Sequence, residues 1–414
     1  MKIVVWTLGC KVNQYESDAI SYQLTKLGHT VSNNLEFADI YILNTCAVTN
    51  EAEKKSRQMV AKFLKLNPNS RVLVCGCASE HNSEQFKKIN GVTFIKGNAK
   101  KTEIINSLLE QGEKVDELPL IYDESIVAPK SSLSRAYVKI QDGCNNFCSY
   151  CLIPYVRGRS RSRKLDSIIE EVKLHAQSSK EIVLTGIDIS DYKINGEKAL
   201  ATLLKELNKF NVRIRLGSLE VRLADEKFIK EIASFKNLCP HFHLSLQSGS
   251  NSVLKRMNRH YTCGEYLETV ESLRKYFENV SITTDIIVGF PEETEEEFNE
   301  TCEFVRKVEF AKVHIFPYSI REGTVASRMK QVDGVITKER VKKLEKIDNE
   351  LSLKYISKMK NKYFDLLVEE KVGDYFVGHT ENYIKVYVKD TLKENEIVKV
   401  KILQPFKDGA LGII

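Results

Sequence analysis

The sequence predicts an α/β multidomain chain: an α/β amino-terminal domain, a partial (β/α)6 barrel and a small carboxyl-terminal antiparallel β-barrel. Three observations predict it. Residues 1–118 alternate short apolar runs with runs of helical period, as a compact domain with a largely parallel sheet requires. Residues 134–330 repeat strand-then-helix six times, too few for a closed barrel of eight. Residues 359–414 break into short β-branched and aromatic stretches divided by glycines and acidic turns.

In the first domain (1–118), strands are expected at Ile3–Trp6, Ile40–Leu43, Val72–Val74 and Val92–Ile95. Helices are expected at Tyr15–Leu27, Glu51–Leu66 and Thr102–Glu110. The second domain (134–358) places strands at Ala136–Ile140, Glu181–Leu184, Arg213–Leu216, Phe242–Leu246, Thr284–Val288 and Lys312–Phe316. Asp166 is a candidate cap for the first barrel helix, and Thr294 with Glu297 forms a capping box for the last. Thr337 to about Lys358 reads as a charged helix packed on the barrel. In the third domain (359–414) the expected strands are Tyr363–Val368, Tyr375–Gly378, Tyr383–Val388 and Glu396–Leu403.

Composition excludes some functions. The 414 residues carry 62 Lys+Arg against 56 Asp+Glu, a net +6, so partners must be argued from where charge sits. Nowhere do 18 apolar residues run together, so no membrane helix is expected. The opening MKIVVWTLGC reads as a strand, not as a signal peptide, and a cytoplasmic protein is expected. Ten cysteines are too sparse for a disulfide scaffold, which favours ligand or catalytic roles. Cys239, Cys263 and Cys302 stand alone and read as small buried hydrophobes.

Chemistry concentrates in GCNNFCSYCLIPYVRGRSRSRK, residues 143–164. Cys144, Cys148 and Cys151 form C-x3-C-x2-C after the first barrel strand, one ligand short of a closed tetrahedral site. Spacing leaves two options: zinc completed by a distant Cys or His, or a 4Fe–4S cube with one iron free to bind a small molecule. Cys10, Cys46 and Cys77 lie at strand ends of the first domain, where loops of a parallel sheet converge on one crevice. They make a second incomplete trio, or else three unrelated cysteines. Cys75, before Gly76, reads as a buried strand residue.

Behind the first trio come Arg157, Arg159, Arg161, Arg163 and Lys164, fork-shaped donors suited to RNA phosphate, with a solvated loop as the alternative. Lys385 and Lys399 on the terminal barrel suit the same partner, with Tyr383 and Tyr387 as stacking platforms. Asp188, Glu220, Ser245, Gln247 and Asp285 fall where barrel strands end and suit a nucleoside-bearing cofactor, although each alone could be capping its loop. Asp285 lies in an apolar strand, where an ionised group needs a partner. His241 and His243 share a strand face and read as satisfied rim or core residues.

The strings TLGCKVNQYESD, NTCAVTNEAEKKSRQ, KIQDGCNNFCSYCLIPYVRGRSRSR, LSLQSGSNSVLKRMNRHYT, TDIIVGFPEETEEEF and FPYSIREGTVASRM resemble, in order, the radical S-adenosylmethionine methylthiotransferase family along the whole chain. Within it the first and third strings are most similar to the branch that modifies N6-threonylcarbamoyladenosine (t6A) in tRNA. The resemblance implies two 4Fe–4S clusters: one on Cys144, Cys148 and Cys151 that binds S-adenosylmethionine, and an auxiliary one on Cys10, Cys46 and Cys77. It implies a TRAM-type RNA-binding terminal domain and, as substrate, position 37 of a tRNA anticodon stem-loop carrying t6A. It further implies an electron donor such as flavodoxin or ferredoxin, an unidentified sulfur donor and a monomer. Arg157 and Arg159 are candidates to meet the substrate carboxylate. The alternatives are an enzyme acting on isopentenyladenosine-37 and a non-enzymatic, zinc-stabilised RNA-binding protein. Glu292 departs from the family, which has glycine there in a GFPGET string, and is expected to alter a loop turn.

Overall fold

The computed structural model describes residues 1–128 and 135–414, so the expected domain boundary at residue 134 lies outside the described residues. A six-stranded parallel sheet forms the first unit, in the order Thr30–Ser32, Lys2–Thr7, Ile40–Thr45, Arg71–Gly76, Val92–Lys96, Gly112–Lys114. The four inner strands are those the apolar runs announce. The two edge strands are short and polar, TVS and GEK, and carry no alternation to read. Helix Lys11–Lys26 begins four residues earlier than expected, with Cys10 at its N-cap.

The six expected barrel strands all form. Ala136–Lys139, Glu181–Thr185 and Arg213–Leu216 pair in parallel, as do His241–His243, Ser281–Val288 and Lys312–Pro317. Parallel bridges Ile214–Leu238 and Leu219–Leu244 join the two halves. Alternate residues divide the strands into two faces. Val138, Ile182, Leu184, Ile214, Phe242, Leu244, Ile282 and Ile286 point outward into the core shared with the helices. Lys139, Glu181, Arg215, His243 and His314 take the inward parity. A fully buried Leu or Ile contributes about 1.5–3 kcal/mol, so the outer layer supplies stability and leaves the lumen free for polar groups.

Helix ends follow local chemistry. Thr294 and Glu297 make the expected capping box, and Thr262 with Glu265 makes another. The helix at Leu165 starts before Asp166, which sits in its first turn and does not cap it. Glu292 adopts φ +63, the left-handed region where the absence of a Cβ favours glycine.

The long helix Gly334–Lys358 packs Leu344, Ile347 and Leu351 into the barrel core. It leads to a closed five-stranded barrel in the order Tyr363–Val372, Tyr375–Thr380, Lys385–Val388, Gly409–Ile413, Ile397–Phe406. Its final strand, GALGI, was not expected from the sequence, having small residues and no β-branched run until its end. This unit docks at the amino-terminal end of the barrel strands. Arg215 donates to the carbonyls of Thr380 and Glu381 at 3.2 and 3.1 Å, and Tyr383 stacks 4.6 Å from both His241 and His379. No helix among the described residues is long and apolar enough to cross a membrane.

Candidate active site

Each cysteine trio is set by a sharp chain reversal. Gly143, ahead of Cys144, has φ +69, and a Cβ there would lie 2.0 Å from the Arg159 carbonyl oxygen. Gly9, ahead of Cys10, has φ +102, and a Cβ there would meet Cys46 Sγ at 2.8 Å. Glycine is thus required for Cys10 and Cys46 to approach one another. Cys75 is fully buried among apolar residues, apart from this crevice.

Burial, then the charge of Cys77, pushes the Cys46 thiol up to about 12, with Cys10 adding a smaller contribution. Burial, then Cys148, likewise raises Cys151 to about 12, and Cys77 of the other trio adds to it. Cys144 is raised to about 12 by burial above all. Cys77 thus lies near enough to raise both Cys46 and Cys151. Thiols raised this far stay protonated at neutral pH until a metal displaces the proton.

The donors suit an iron–sulfur cube. Every sulfur of the C-x3-C-x2-C loop accepts an N–H: Asn146 N to Cys144 at 3.4 Å, Ile153 N to Cys151 at 3.5 Å and Arg259 Nη1 to Cys148 at 3.2 Å. Such bonds stabilise thiolate charge. Among the described residues no three Cys, His, Asp or Glu side chains close to single-ion spacing; a cube spreads its thiolates over separate irons and takes a wider trio.

The charge around Cys77 points the same way. Among the described residues, the carboxylates paired with Lys101, Lys139, Arg157 and Arg161 are Glu16 and Asp142, so four buried cations share two carboxylates. Cys77 lies near enough to Arg157 that an ionised sulfur there would favour the charged guanidinium, alongside Glu16 and Asp142. A cube on three thiolates is a net anion and offsets this excess.

That network corrects the expectation for the basic run. Arg157, 1% exposed, binds Glu16 at 2.9 Å, Asp142 at 3.2 Å and Asn13 Oδ1 at 2.6 Å. Arg161 binds Asp142 at 3.1 Å, and Arg163 pairs with Glu171 and donates to Tyr15 at 3.2 Å. Arg157 and Arg163 join the first domain to the barrel, Arg161 is tied back to Asp142 and the carbonyls of its own loop, and all three are buried away from phosphate. Only Arg159, over the Phe147 ring at 4.4 Å, and Lys164 are exposed. On the terminal barrel Lys399 is exposed, whereas Lys385 pairs with Asp408 at 2.8 Å. Tyr383 is held in the inter-domain stack and Tyr387 is 5% exposed, so neither is a free platform.

Asp188 and Glu220 share a cleft of about 280 Å³ with Asn145, Asn146, Ser190 and Arg222 beside the cysteine loop. Asp188 accepts from Asn146 at 3.0 Å; its Oδ1 is buried without a partner, an acceptor left for a ligand. Burial and then Glu220 raise its pKa to about 6. Glu220 is held at 2.6 and 2.8 Å by Arg259, whose guanidinium also reaches the Ser245 carbonyl at 3.2 Å. Arg259 thus ties Cys148, Glu220 and Ser245 together. The sequence reading missed it, although it stands in the RMNRHYT string.

Gln247 and Asp285 lie elsewhere on the barrel. Gln247 takes φ +70 and donates its N–H to the Asp285 carbonyl at 2.8 Å, while the Asp285 carboxylate lies 3.3 Å from His243 Nε2. His243 also meets Thr283 at 3.0 Å, and His241 is buried under Tyr383. A larger groove, about 990 Å³, lies at the opposite end of the strands against the terminal barrel and holds no member of either trio.

Comparison with known proteins gives a consistent result. The Radical SAM superfamily matches residues 138–305, and a family described as uncharacterised protein family UPF0004 matches residues 2–97. Threonylcarbamoyladenosine tRNA methylthiotransferase MtaB of Bacillus subtilis is 37% identical over 432 residues, covering 97% of this chain and 94% of that protein. The protein of the same name from Aquifex aeolicus is 38% identical over 414 residues, covering 97% and 100%. A tRNA-2-methylthio-N6-dimethylallyladenosine synthase of Thermoanaerobacter pseudethanolicus is 36% identical over 429 residues, covering 96% and 89%. Among solved structures, the radical S-adenosylmethionine methyltransferase TsrM from Kitasatospora setae, with cobalamin and a 4Fe–4S cluster, superposes with a TM-score of 0.58. At 14% identity over 79% of this chain and 77% of that one, the likeness is one of fold.

Proposed function

The chain belongs to the radical S-adenosylmethionine methylthiotransferase family, and from that premise we propose that it converts t6A at position 37 of tRNA to its 2-methylthio derivative. Its end-to-end correspondence with enzymes of that activity carries the proposal. The barrel is a radical S-adenosylmethionine domain, which implies an iron–sulfur cluster and S-adenosylmethionine. We assign Cys144, Cys148 and Cys151 to that cluster and Cys10, Cys46 and Cys77 to a second 4Fe–4S cluster. The shared influence of Cys77 and the cation excess beside it support the second assignment.

C2 of adenine is aromatic and non-acidic, so acid–base side chains have little hold on it. When bound, the two clusters and S-adenosylmethionine supply the 5′-deoxyadenosyl radical, the sulfur and the methyl group. The chain positions and shields. Asp188 Oδ1 and Glu220 accept from the cofactor's amine or ribose hydroxyls in their cleft, and Arg259 fixes Glu220 relative to Cys148. Ser245 serves through its carbonyl, while Gln247 and Asp285 face the substrate side of the lumen. Arg159, Lys164 and Lys399 contact tRNA backbone, and the adenine turns out of its stack to enter. A flavodoxin or ferredoxin serves as reductant to a cytoplasmic monomer.

Nucleoside mass spectrometry of tRNA from a deletion strain tests this. The expected result is t6A without its methylthio group; loss of methylthio-isopentenyladenosine instead would move the assignment to the sister activity. Anaerobic iron and sulfide analysis should give two clusters per chain, and Cys144→Ala should lose one of them.

A further inference from the structure

Residues 318–329, which follow the last barrel strand, have no part in the chemistry proposed above. Between strand Lys312–Pro317 and helix Gly334–Lys358 they touch both halves of the site. At its start this strap grips the first domain. Ser319 Oγ accepts the Asn50 N–H at 3.0 Å, and Arg321 donates to Asn50 Oδ1 at 2.6 Å and pairs with Glu53. The His81 ring nitrogens lie 3.3 Å from Glu53 Oε1 and 3.3 Å from the Glu322 carbonyl oxygen. At its far end the strap grips the cysteine loop of the barrel, where the Ala326 N–H donates to the Ser149 carbonyl at 2.8 Å.

The residues gripped are those that follow the cysteines. Asn50 and Glu53 lie in the first turn of helix Asn50–Leu66, just after Cys46, and His81 ends the short helix that Cys77 begins. Ser149 stands between Cys148 and Cys151, with its N–H and hydroxyl given to the Met257 and Arg256 carbonyls at 3.0 and 2.7 Å. The chain between the two grips is closed on itself. Thr324 donates its N–H and its hydroxyl to the Arg321 carbonyl at 3.1 and 2.7 Å, around Gly323 at φ +88. Arg321 and Thr324 are buried, and Ala326 packs with Val253, Met257 and Phe290. A turn bonded in this way transmits position, whereas a loose linker of the same length would absorb it.

We infer that Arg321 is a positioning residue: through the strap it sets where Cys46 and Cys77 stand relative to the loop of Cys144, Cys148 and Cys151, an inference that rests on the function proposed above. Radical chemistry beside one trio and sulfur delivery beside the other must converge on the same adenine carbon. About 1 Å of misplacement between reacting groups can cost about a hundredfold in rate. Other joints between the domains leave this alignment open. Arg157 fastens Asn13 and Glu16, on the helix that follows Cys10. Leu152 and Val156 share an apolar core with Ala78, and such packing holds two bodies together without fixing their direction. The directed bonds of Arg321 add that direction for the elements that carry Cys46 and Cys77.

The test compares wild type with Arg321→Met, Arg321→Lys and Asn50→Ala, the last at an exposed position. Each is full-length and reconstituted, with iron content as the loading control. With dithionite as reductant and an anticodon stem-loop bearing t6A, 5′-deoxyadenosine released is counted against methylthio groups installed. Amide hydrogen exchange of the same proteins follows residues 46–53, 77–82, 144–152 and 319–326. Arg321→Met should release about tenfold to a hundredfold more 5′-deoxyadenosine per product, at an unchanged KM for S-adenosylmethionine. Exchange should quicken in those four segments and stay as in wild type in strands Ile40–Thr45 and Glu181–Thr185. Arg321→Lys, which keeps a cation for Glu53, should recover most of the coupling, and Asn50→Ala should shift the ratio the same way by less. Should Arg321→Met fail to load iron, Asn50→Ala decides, and a wild-type ratio there overturns the inference. So does a loaded Arg321→Met whose ratio and exchange match wild type, or one in which cleavage and product fall together; the function stands in either case. A wild type that converts an isopentenyladenosine stem-loop and not the t6A one overturns the function instead.

Discussion

Replacing Arg157 with Met keeps the length of the stem and deletes the charge that joins the first domain to the barrel. Glu16 keeps Lys101 and Lys139, and Asp142 keeps Lys139 and Arg161. Both carboxylates stay paired, so the loss falls short of the roughly 3–5 kcal/mol of a broken isolated buried pair. Asn13 Oδ1, however, loses its 2.6 Å donor inside the protein, which costs about 1–3 kcal/mol. The sum expected is about 3 kcal/mol. Urea unfolding of the cluster-free protein measures it, with tRNA binding across a salt series alongside. Arg157→Met should lower the midpoint and leave the salt slope of binding untouched. Arg159→Met should do the reverse: stability within about 0.5 kcal/mol of wild type and a slope smaller by about one. If Arg157→Met unfolds like wild type and flattens the salt slope, Arg157 reads phosphate and the structural role assigned to it is wrong.

Other substitutions probe separate parts. Glu292→Gly relieves a left-handed backbone and should stabilise by about 1 kcal/mol; a lower thermal midpoint would show that the side chain matters more than the turn. Asp188 has a folded value of about 6, above its unfolded value of about 3.9. The folded state therefore holds the extra proton between them. Cofactor-free stability should fall by about 3 kcal/mol as pH rises from about 4 to about 6 and be level outside that window. Asp188→Asn should flatten the curve, and a wild-type curve already flat there would contradict the assignment. Tyr383→Ala removes the ring stacked on His241 and His379 and should cost about 3 kcal/mol at the docking surface. Limited proteolysis should then release the terminal barrel faster than from wild type, and an unchanged cutting rate would mean that the bonds of Arg215, Arg213 and Arg135 hold it without the stack.

Much of this architecture was legible because buried strands write themselves as apolar runs, and the inner strands of the first sheet and all six of the barrel do so. Thr30–Ser32 and Gly112–Lys114 escaped notice because an edge strand of three polar residues has no face to declare. The places of Cys10, Cys46 and Cys77 were legible too, after strands Lys2–Thr7, Ile40–Thr45 and Arg71–Gly76. The basic run misled for a different reason. Five cations close together in sequence reveal nothing about acids far along the chain, and Glu16 reaches Arg157 across 141 residues. Arg259 was missed on similar grounds, since its importance lies in the company it keeps beside the loop.

The bonds to the sulfurs of Cys144, Cys148 and Cys151 differ in how they can be inherited. Two come from main-chain amides, those of Asn146 and Ile153, which any residue but proline supplies. Genetic drift in those side chains cannot remove them. The third comes from Arg259, a side chain that a single codon change deletes. Among the described residues two of the three sulfur hydrogen bonds are thus fixed by the fold, and for the cluster proposed on these cysteines the tuning that remains open to selection passes through one guanidinium.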